Sequence, residues 1–302
     1  MGSRSIRIVE VGLRDGLQNE KQVVPTATKV NLAQKLKSAG VKSLEIGAFV
    51  RADKVPQMAD TRLFLEELSK TKEFKSVQLS ALVPNEIGMK EAIAAGLKEV
   101  AVFTAASDSF TKNNINCTVE ESFERFAPVF ELAKKYKIKV RGYLSTAFGC
   151  PYEGSVSEKR VVDLTARLLK LGCYEVSIGD TIGVAVPSQV ESLVKRLKAR
   201  KIPLTKIAGH FHDTRGTSLA NILTAYRLGI KVFDSSLGGL GGCPYAPGAS
   251  GNVATEDVVY MFEKMKVKTG LHLKALIEAN RWLSQSMKRA LPSKVSQAGS
   301  LL

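Results

Sequence analysis

The sequence predicts a (β/α)₈ barrel, an α/β fold in which eight parallel strands alternate with helices around one core. Three observations support this fold class: eight short apolar runs, amphipathic stretches between them, and a glycine repeated at helix ends. Most runs are continuously apolar, as expected for parallel strands that are covered on both faces. The predicted strands are Ile6–Val11, Ser43–Ile46, Val77–Val83, Glu99–Phe103, Val140–Ser145, Glu175–Ile178, Ile207–His212 and Val232–Ser236.

The stretches between the strands carry apolar residues at helical spacing. Lys29–Ala39 and Glu158–Leu171 each place an apolar stripe on one helix face. Thr118 followed by Glu121 is a capping-box signal that starts a further helix. Pro128 falls inside that helix, and we expect it to kink the helix because proline cannot donate a backbone hydrogen bond.

Four predicted helices end in small or apolar residues followed by glycine, shortly before the next strand. Glycine supplies the left-handed conformation that closes a last helical turn. A doubly wound open sheet is the alternative fold. It would need a glycine-rich dinucleotide loop after the first strand, and residues 12–16 lack that pattern. The helix-ending glycines are Gly40, Gly96, Gly172 and Gly229.

Two segments interrupt the alternation of strands and helices. Ser107–Cys117 is predicted as a polar loop, and Leu237–Asn252 as a glycine-rich loop after the eighth strand. Two further helices are predicted at about Thr255–Met265 and Leu271–Arg289. We therefore expect a single TIM-barrel catalytic domain over residues 1–302, with residues 253–302 as flanking C-terminal helices.

Composition excludes several classes of protein. Apolar residues make up 44% and charged residues 24% of 302, an ordinary globular balance. No apolar run approaches the roughly 20 residues of a membrane span, and no targeting peptide is recognisable, so a cytoplasmic location is expected. The four cysteines form no C-x-x-C pair, so neither a zinc ribbon nor a thioredoxin-like site is expected. The net charge of +15 is dispersed along predicted helices, which favours a solvated surface or a polyanionic small substrate over nucleic acid.

Catalytic groups of such barrels lie at the carboxyl ends of the strands and in the loops that follow them. That rule can be applied without knowing the reaction, and it selects polar residues near five strand ends. The selected residues are Glu10, Arg14, Asp15, Glu45, Asp180, His210, His212, Cys243 and Asn252.

His210 and His212 are the strongest signal among them, because alternate residues of a strand point to the same side. Only three histidines occur in the chain, and these are two of them. Imidazole is a common ligand for divalent metals, although a pair of core histidines is the alternative. Asp15 and Asn252 could add oxygen ligands, which would suit Mg²⁺ or Mn²⁺. Asp15 could instead be a turn residue before Gly16.

Arg14 and Cys243 have a functional and a structural interpretation each. An arginine in the barrel mouth could stabilise a developing oxyanion, or it could form a surface ion pair. A thiol on a glycine-rich loop could act as an acid or base, or it could be an incidental small residue.

Together these residues resemble the 3-hydroxy-3-methylglutaryl-CoA lyase family of metal-dependent barrel enzymes, over nearly the whole chain. The loop that contains Cys243 is the most specific element, since related condensing synthases share the Arg-Asp and H-x-H elements but are not expected to carry it. One departure is that Ile46–Ala48 replaces a more polar run. The motifs that carry the resemblance span residues 9–21, 149–154, 178–183 and 239–252.

The resemblance implies a role for each candidate residue. It implies Asp15, His210, His212 and Asn252 as metal ligands, with Asp15 and His210 also counted as catalytic. It implies that Arg14 stabilises the enolate oxygen and contacts substrate, and that Cys243 is the acid or base. Glu45 matches a catalytic acidic position. Glu10 and Asp180 match acidic positions that contact substrate.

The resemblance also implies the reaction, which is cleavage of 3-hydroxy-3-methylglutaryl-CoA to acetyl-CoA and acetoacetate. The implied cofactor is Mg²⁺ or Mn²⁺ and the implied partner is an acyl-CoA substrate, with no nucleic acid or membrane, and we expect a homodimer. A lyase or synthase for another acyl-CoA or 2-oxo acid is the nearest alternative. The pathway, leucine breakdown or ketone-body formation, stays open.

Overall fold

Eight parallel strands pair in chain order and the first pairs with the eighth, so the sheet closes into a barrel. This computed structural model describes residues 5–242 and 251–299. The predicted fold class is confirmed, and each strand agrees with its predicted bounds to within two residues. The strands are β1 (Arg7–Glu10), β2 (Ser43–Ala48), β3 (Gln78–Leu82), β4 (Glu99–Ala105), β5 (Lys139–Ser145), β6 (Glu175–Asp180), β7 (Ile207–Phe211) and β8 (Val232–Ser235).

Helices follow the strands and cover the outside of the barrel. Within the described residues they are α1 (Thr26–Ser38), α2 (Thr61–Ser69), α3 (Glu86–Ala94), α4 (Asp108–Ile115), α5 (Val119–Tyr136), α6 (Glu158–Leu171), α7 (Pro187–Ala199), α8 (Ser218–Leu228), α9 (Thr255–Lys264), α10 (Leu273–Ser286) and α11 (Lys294–Ala298). None of them, over the part of the chain that is described, is long and apolar enough to cross a membrane.

The local signals at helix ends act as the sequence predicts. Thr118 and Glu121 form the capping box of α5, since each side chain accepts a hydrogen bond from the other's backbone N–H, at 3.1 and 2.6 Å. The helix runs without interruption through Pro128. All four glycines predicted to end helices have positive φ angles, between +82° and +125°. They are Gly40, Gly96, Gly172 and Gly229.

The prediction of a polar loop over Ser107–Cys117 is wrong, because most of that segment forms α4. The Ser107 hydroxyl accepts a hydrogen bond from the Phe110 N–H at 3.1 Å and starts the helix. Asn116 ends it in the left-handed conformation, with φ of +50°. Only Phe110 and Thr111 of α4 are buried, so the segment has no long apolar stripe from which a helix could be predicted.

The predicted C-terminal helices are present as α9 and α10, followed by the short α11. Helix α10 packs against α1, and α9 packs beside the turn that follows β8. The N-terminus of α11 is bound by Asp257 of α9, whose carboxylate accepts from Ser293 Oγ at 2.8 Å and from the Val295 N–H at 2.9 Å. These helices therefore pack onto the closing edge of the barrel, where β1 and β8 meet.

The barrel interior contains charged side chains where branched apolar residues dominate in most such barrels. Arg141 of β5 is 2% exposed, and it binds Glu175 of β6 and Asp234 of β8. Apolar packing lies instead between the strands and the outer helices, for example at Leu144 and Phe233. The sheet therefore holds buried ionic groups below its carboxyl end.

Candidate active site

The two histidines lie at the carboxyl end of β7, and both face the barrel mouth. His210 is on the strand and His212 follows its last residue. The ring centroids are 5.1 Å apart. The Nε2 atoms of His210 and His212 lie 3.9 and 4.0 Å from Asp15 Oδ2. The two side chains thus point to the same side, as strand alternation predicts.

A tight turn after β1 brings Arg14 and Asp15 over the barrel end. Residues Gly12–Gly16 form one turn of π-helix, with the Gly16 N–H donating to the Val11 carbonyl at 3.1 Å. A Cβ atom at Gly16 would lie 2.8 Å from Ser236 Oγ, closer than real contacts allow. Glycine is therefore required where this turn packs against the segment after β8. Single π-helical turns of this kind are frequent at functional sites.

Asn252 lies beside Asp15 and the two histidines because residues 251–253 run alongside the end of β7. The Asp213 N–H donates to the Gly251 carbonyl at 2.8 Å, and the Val253 N–H donates to the Phe211 carbonyl at 3.1 Å. The Asn252 amide nitrogen donates to Asp15 Oδ2 at 2.8 Å. A half-turn of the amide would present its oxygen to the same space.

Asp15, His210 and His212 fit a divalent metal ion. Their ligand atoms all lie within 4.8 Å of one another. Two oxygen or nitrogen ligands of one such ion, each at about 2.1 Å, are at most about 4.2 Å apart, which accommodates both measured distances to Asp15. Burial lowers the pKa of His212 to about 4, so its imidazole is a neutral donor. Burial alone would raise the pKa of Asp15, but Arg14 and the imidazoles outweigh it and lower the pKa to about 2.

Arg14 is held in the mouth by two carboxylates. Its Nε donates to Glu45 Oε2 at 2.8 Å, and its Nη1 donates to Asp15 Oδ1 at 2.6 Å. Tyr143 supports the arrangement, since its hydroxyl donates to Glu45 Oε2 at 3.0 Å and its ring lies below the guanidinium. Burial raises the pKa of Glu45, and Arg14 opposes that shift. The second Arg14 amino group makes no hydrogen bond among the described residues, and so can meet a ligand.

Glu10 and Asp180 are near the mouth but do not face it. Glu10 is fully buried, and its oxygens accept hydrogen bonds from Gly12, Leu237 and Thr255. Asp180 is 1% exposed and accepts from the Val184 and Ala185 N–H groups, at 2.9 and 3.1 Å. In this structure both carboxyl groups hold loops in place, and the substrate contact expected from the sequence stays a prediction.

Cys243 lies outside the described residues, but the two ends of its loop are described and meet beside the cluster. A Cβ atom at Gly251 would lie 2.7 Å from the backbone carbon of Gly241. A Cβ atom at Gly241 would lie 2.8 Å from the Asn252 amide nitrogen. The loop therefore starts and ends next to Asn252.

Sequence reasoning missed the ionic groups behind the cluster. Asp234 is 3.3 Å from His210 Nδ1, and Arg141 binds Asp234. Ser177 Oγ also donates to Asp234, and the Tyr143 hydroxyl accepts from Arg141 and donates to Glu45. The signal that could have found them was a charged residue within a strand that is otherwise apolar, as in Val140-Arg141 and Phe233-Asp234.

The fold and the cluster define a TIM-barrel enzyme with a candidate divalent-metal site at the carboxyl ends of its strands. The HMGL-like family model matches residues 5–283. The chain belongs to the HMGL-like family and is a lyase.

The chain is similar to named lyases along its whole length. It is 48% identical to the mitochondrial hydroxymethylglutaryl-CoA lyase of Mus musculus, over 98% of this chain and 90% of the relative. The hydroxymethylglutaryl-CoA lyase structure from Pseudomonas aeruginosa has a TM-score of 0.94 and 44% identity, covering 98% of this chain and 97% of its own. An HMG-CoA lyase from Acinetobacter baumannii, in complex with coenzyme A and 3-methylmalate, has a TM-score of 0.93 and 36% identity, covering 100% and 98%.

Proposed function

We propose that this protein cleaves 3-hydroxy-3-methylglutaryl-CoA to acetyl-CoA and acetoacetate with the help of a divalent metal. The observation that carries the proposal is the convergence of Asp15, His210, His212 and Arg14 at one barrel end, in a chain that hydroxymethylglutaryl-CoA lyases match along its length. The complex of the Acinetobacter baumannii relative with coenzyme A supports an acyl-CoA as the substrate class.

Asp15, His210, His212 and Asn252 are the residues that would hold the metal, Mg²⁺ or Mn²⁺. A mixed set of nitrogen and oxygen donors with no thiolate suits such ions. When bound there, a divalent ion supplies a Lewis acid that makes the tertiary C3 hydroxyl of the substrate more acidic. Asn252 needs its amide turned over from the orientation in which it donates to Asp15.

Arg14 stabilises the charge that develops during cleavage. A base takes the proton of the C3 hydroxyl, the C2–C3 bond breaks, and its electron pair passes to the thioester as an enolate. The amino group of Arg14 that has no hydrogen bond within the described part of the chain donates to the enolate oxygen, while Glu45 and Asp15 hold the guanidinium in position. Fixed donors of this kind contribute most when they need not reorganise.

Cys243 completes the reaction by transferring a proton to the enolate carbon, which gives acetyl-CoA. Both ends of its loop lie beside Asn252, so the loop can reach the mouth. A Cys243→Ser variant should lose turnover by orders of magnitude while it still binds Mn²⁺. Turnover equal to that of the natural chain would contradict this role.

Glu10 and Asp180 have a different role in this proposal from the one the sequence suggested. Their oxygens accept hydrogen bonds from backbone N–H groups and, at Glu10, from the Thr255 hydroxyl, so we assign them to positioning the loops after β8 and β6. We also propose, from the sequence expectation, a single catalytic domain over residues 1–302, a cytoplasmic location and a homodimer. Light scattering on the purified protein tests the dimer, and a monomer would contradict it.

Acetyl-CoA release from 3-hydroxy-3-methylglutaryl-CoA tests the function directly. Protein treated with EDTA should release none, and added Mg²⁺ or Mn²⁺ should restore the reaction. No acetyl-CoA from metal-loaded protein, with cleavage of another acyl-CoA or a 2-oxo acid, would move the assignment to a different substrate on the same scaffold.

A further inference from the structure

The two ring nitrogens of His210 face different surroundings. Its Nε2 points into the mouth, 3.9 Å from Asp15 Oδ2. Its Nδ1 points into the barrel interior, 3.3 Å from Asp234 Oδ2. The register of β7 and β8 pairs His210 with Asp234, and neighbouring residues in register point to the same side of a sheet. Asp234 is thus behind His210, on the side away from the other candidate metal ligands.

Asp234 can only accept a hydrogen bond from this ring. Arg141 donates to both of its oxygens, at 2.7 and 3.2 Å, and Ser177 Oγ donates to Oδ2 at 2.6 Å. The Arg141 guanidinium is a bidentate partner of Asp234, the arrangement that arginine makes with an ionised carboxylate. An ionised carboxylate has no proton to donate. The proton between the two side chains therefore belongs to His210 Nδ1.

We propose that Asp234 is a positioning residue of the metal site, which holds His210 with its proton on Nδ1 and so leaves Nε2 free to bind the metal. The proposal rests on the metal site proposed above and deepens it. Ligand histidines in proteins generally carry such a partner on the second nitrogen, and its loss weakens metal binding by about 10- to 100-fold.

His212 provides an internal contrast. Its Nδ1 is buried and has no hydrogen-bond partner among the described residues. The two candidate ligands are thus unequal, because Asp234 determines the tautomer of His210 and no described side chain does so for His212. The metal affinity of the site should depend on Asp234 more than on any other buried carboxylate of the barrel that is not itself a ligand.

The tautomer can be observed without metal and without activity. Long-range ¹H–¹⁵N correlation spectra distinguish histidines protonated on Nδ1 from those protonated on Nε2, and only three histidines of this chain contribute signals. At a pH where the ring is neutral, the metal-free protein should show His210 protonated on Nδ1, assigned with a His210→Gln variant. A proton on Nε2 would overturn the proposal.

Asp234→Asn should reverse the tautomer. Arg141 donates to Oδ1 at 2.7 Å, so an amide at this position keeps its oxygen there and turns its NH₂ group toward His210. That group donates to Nδ1, and the ring proton moves to Nε2, where the metal would bind. The dissociation constant for Mn²⁺, measured by calorimetry, should rise by about 10- to 100-fold.

Glu175→Gln is the matched control. Glu175 is a buried carboxylate that accepts from Nε of the same Arg141 at 2.8 Å. Asp234 accepts instead from the two amino groups of that arginine. The dissociation constant of Glu175→Gln for Mn²⁺ should stay within about threefold of the natural chain. Equal losses in the two variants would overturn the proposal. Absence of Mn²⁺ binding by the natural chain would overturn both this proposal and the metal site. Should Asp234→Asn fail to fold, the tautomer of the natural chain still decides the question.

Discussion

Two groups of buried carboxyl groups in this barrel differ in what surrounds them. The first, the arginine-paired group, is defined as the two aspartates Asp15 and Asp234, which bind Arg14 and Arg141. Glu45 and Glu175 bind the same arginines but are not counted in it, and burial still raises the pKa of Glu45. The second, the arginine-free group, consists of Glu10 and Glu256. Among the described residues, these two accept hydrogen bonds from backbone N–H, hydroxyl and amide groups only.

The surroundings move the pKa values in opposite directions, although burial raises all four. The pKa of Asp15 is lowered to about 2 and that of Asp234 is also lowered, because arginine outweighs burial. Burial prevails at Glu10 and Glu256, whose pKa values rise to about 7. The arginine-paired group is therefore ionised and suits a cation. The arginine-free group holds the backbone after β8, and burial there favours neutral carboxyl groups.

Removal of Arg141 should have the largest effect, because it leaves buried charge without compensation. Arg141→Met deprives Asp234 of its counter-charge and Glu175 of one of two arginines. We expect a loss of about 3–5 kcal/mol in the free energy of unfolding. Urea unfolding measures it.

The control for that variant is Arg62→Met, which breaks an exposed pair with Glu66 on α2. Such surface pairs contribute at most about 1 kcal/mol. Similar losses in the two variants would contradict the distinction between the buried and the exposed arginine.

The pH dependence of stability should follow the arginine-free group. Glu10 has a folded pKa of about 7, above its ordinary value of 4.5. The folded state therefore holds the proton more tightly than the unfolded state. The stabilisation is complete below about pH 4.5 and is lost as the pH rises through about 7, by roughly 3 kcal/mol.

Glu10→Gln tests that sign. The amide oxygen can still accept from Gly12 and Leu237, and its NH₂ group can donate to Thr255. The variant should match the natural chain at pH 4 and exceed it by roughly 3 kcal/mol at pH 8.5. Urea unfolding at both pH values measures this, with exposed Glu66→Gln as the control. A difference that does not change with pH would contradict the account.

The smallest expected effect concerns the helix beside the arginine-free group. Ser293 caps α11, since its hydroxyl accepts from the Ser296 N–H at 3.1 Å and donates to Asp257. Ser293→Ala should cost about 1 kcal/mol in unfolding free energy. The exposed Ser286→Ala should cost less. A loss above about 3 kcal/mol would mean that α11 holds the barrel's closing edge more strongly than a cap explains.

The barrel and the side chains in its mouth could be predicted from the sequence because their signals are local. Each β/α repeat carries its own apolar run and its own helix-ending glycine, so the repeats can be predicted one at a time from the sequence. His210 and His212 are two residues apart on one strand, and Arg14 and Asp15 are adjacent. The strand-end rule then brings them together without any distance measurement.

The ionic contacts of Arg141 and Asp234 in the barrel interior could not be predicted, because they depend on strand register and on closure of the barrel. Arg141 and Asp234 are 93 residues apart and meet only inside the closed barrel. Asp234 is beside His210 because β7 and β8 pair in one particular register. A shift by one residue would turn Asp234 toward the outer helices. The partners of Glu10 could not be predicted for the same reason, since only the structure shows that its oxygens face Leu237 and Thr255.

Titration of metal-free protein with Mn²⁺, followed by calorimetry, tests the central claim that the metal site depends on the arginine-paired group and not on the arginine-free group. The natural chain and Glu10→Gln should each bind one ion per chain, and Asp15→Ala should bind none. Binding by Asp15→Ala that equals the natural chain, or loss of binding in Glu10→Gln, would contradict the claim.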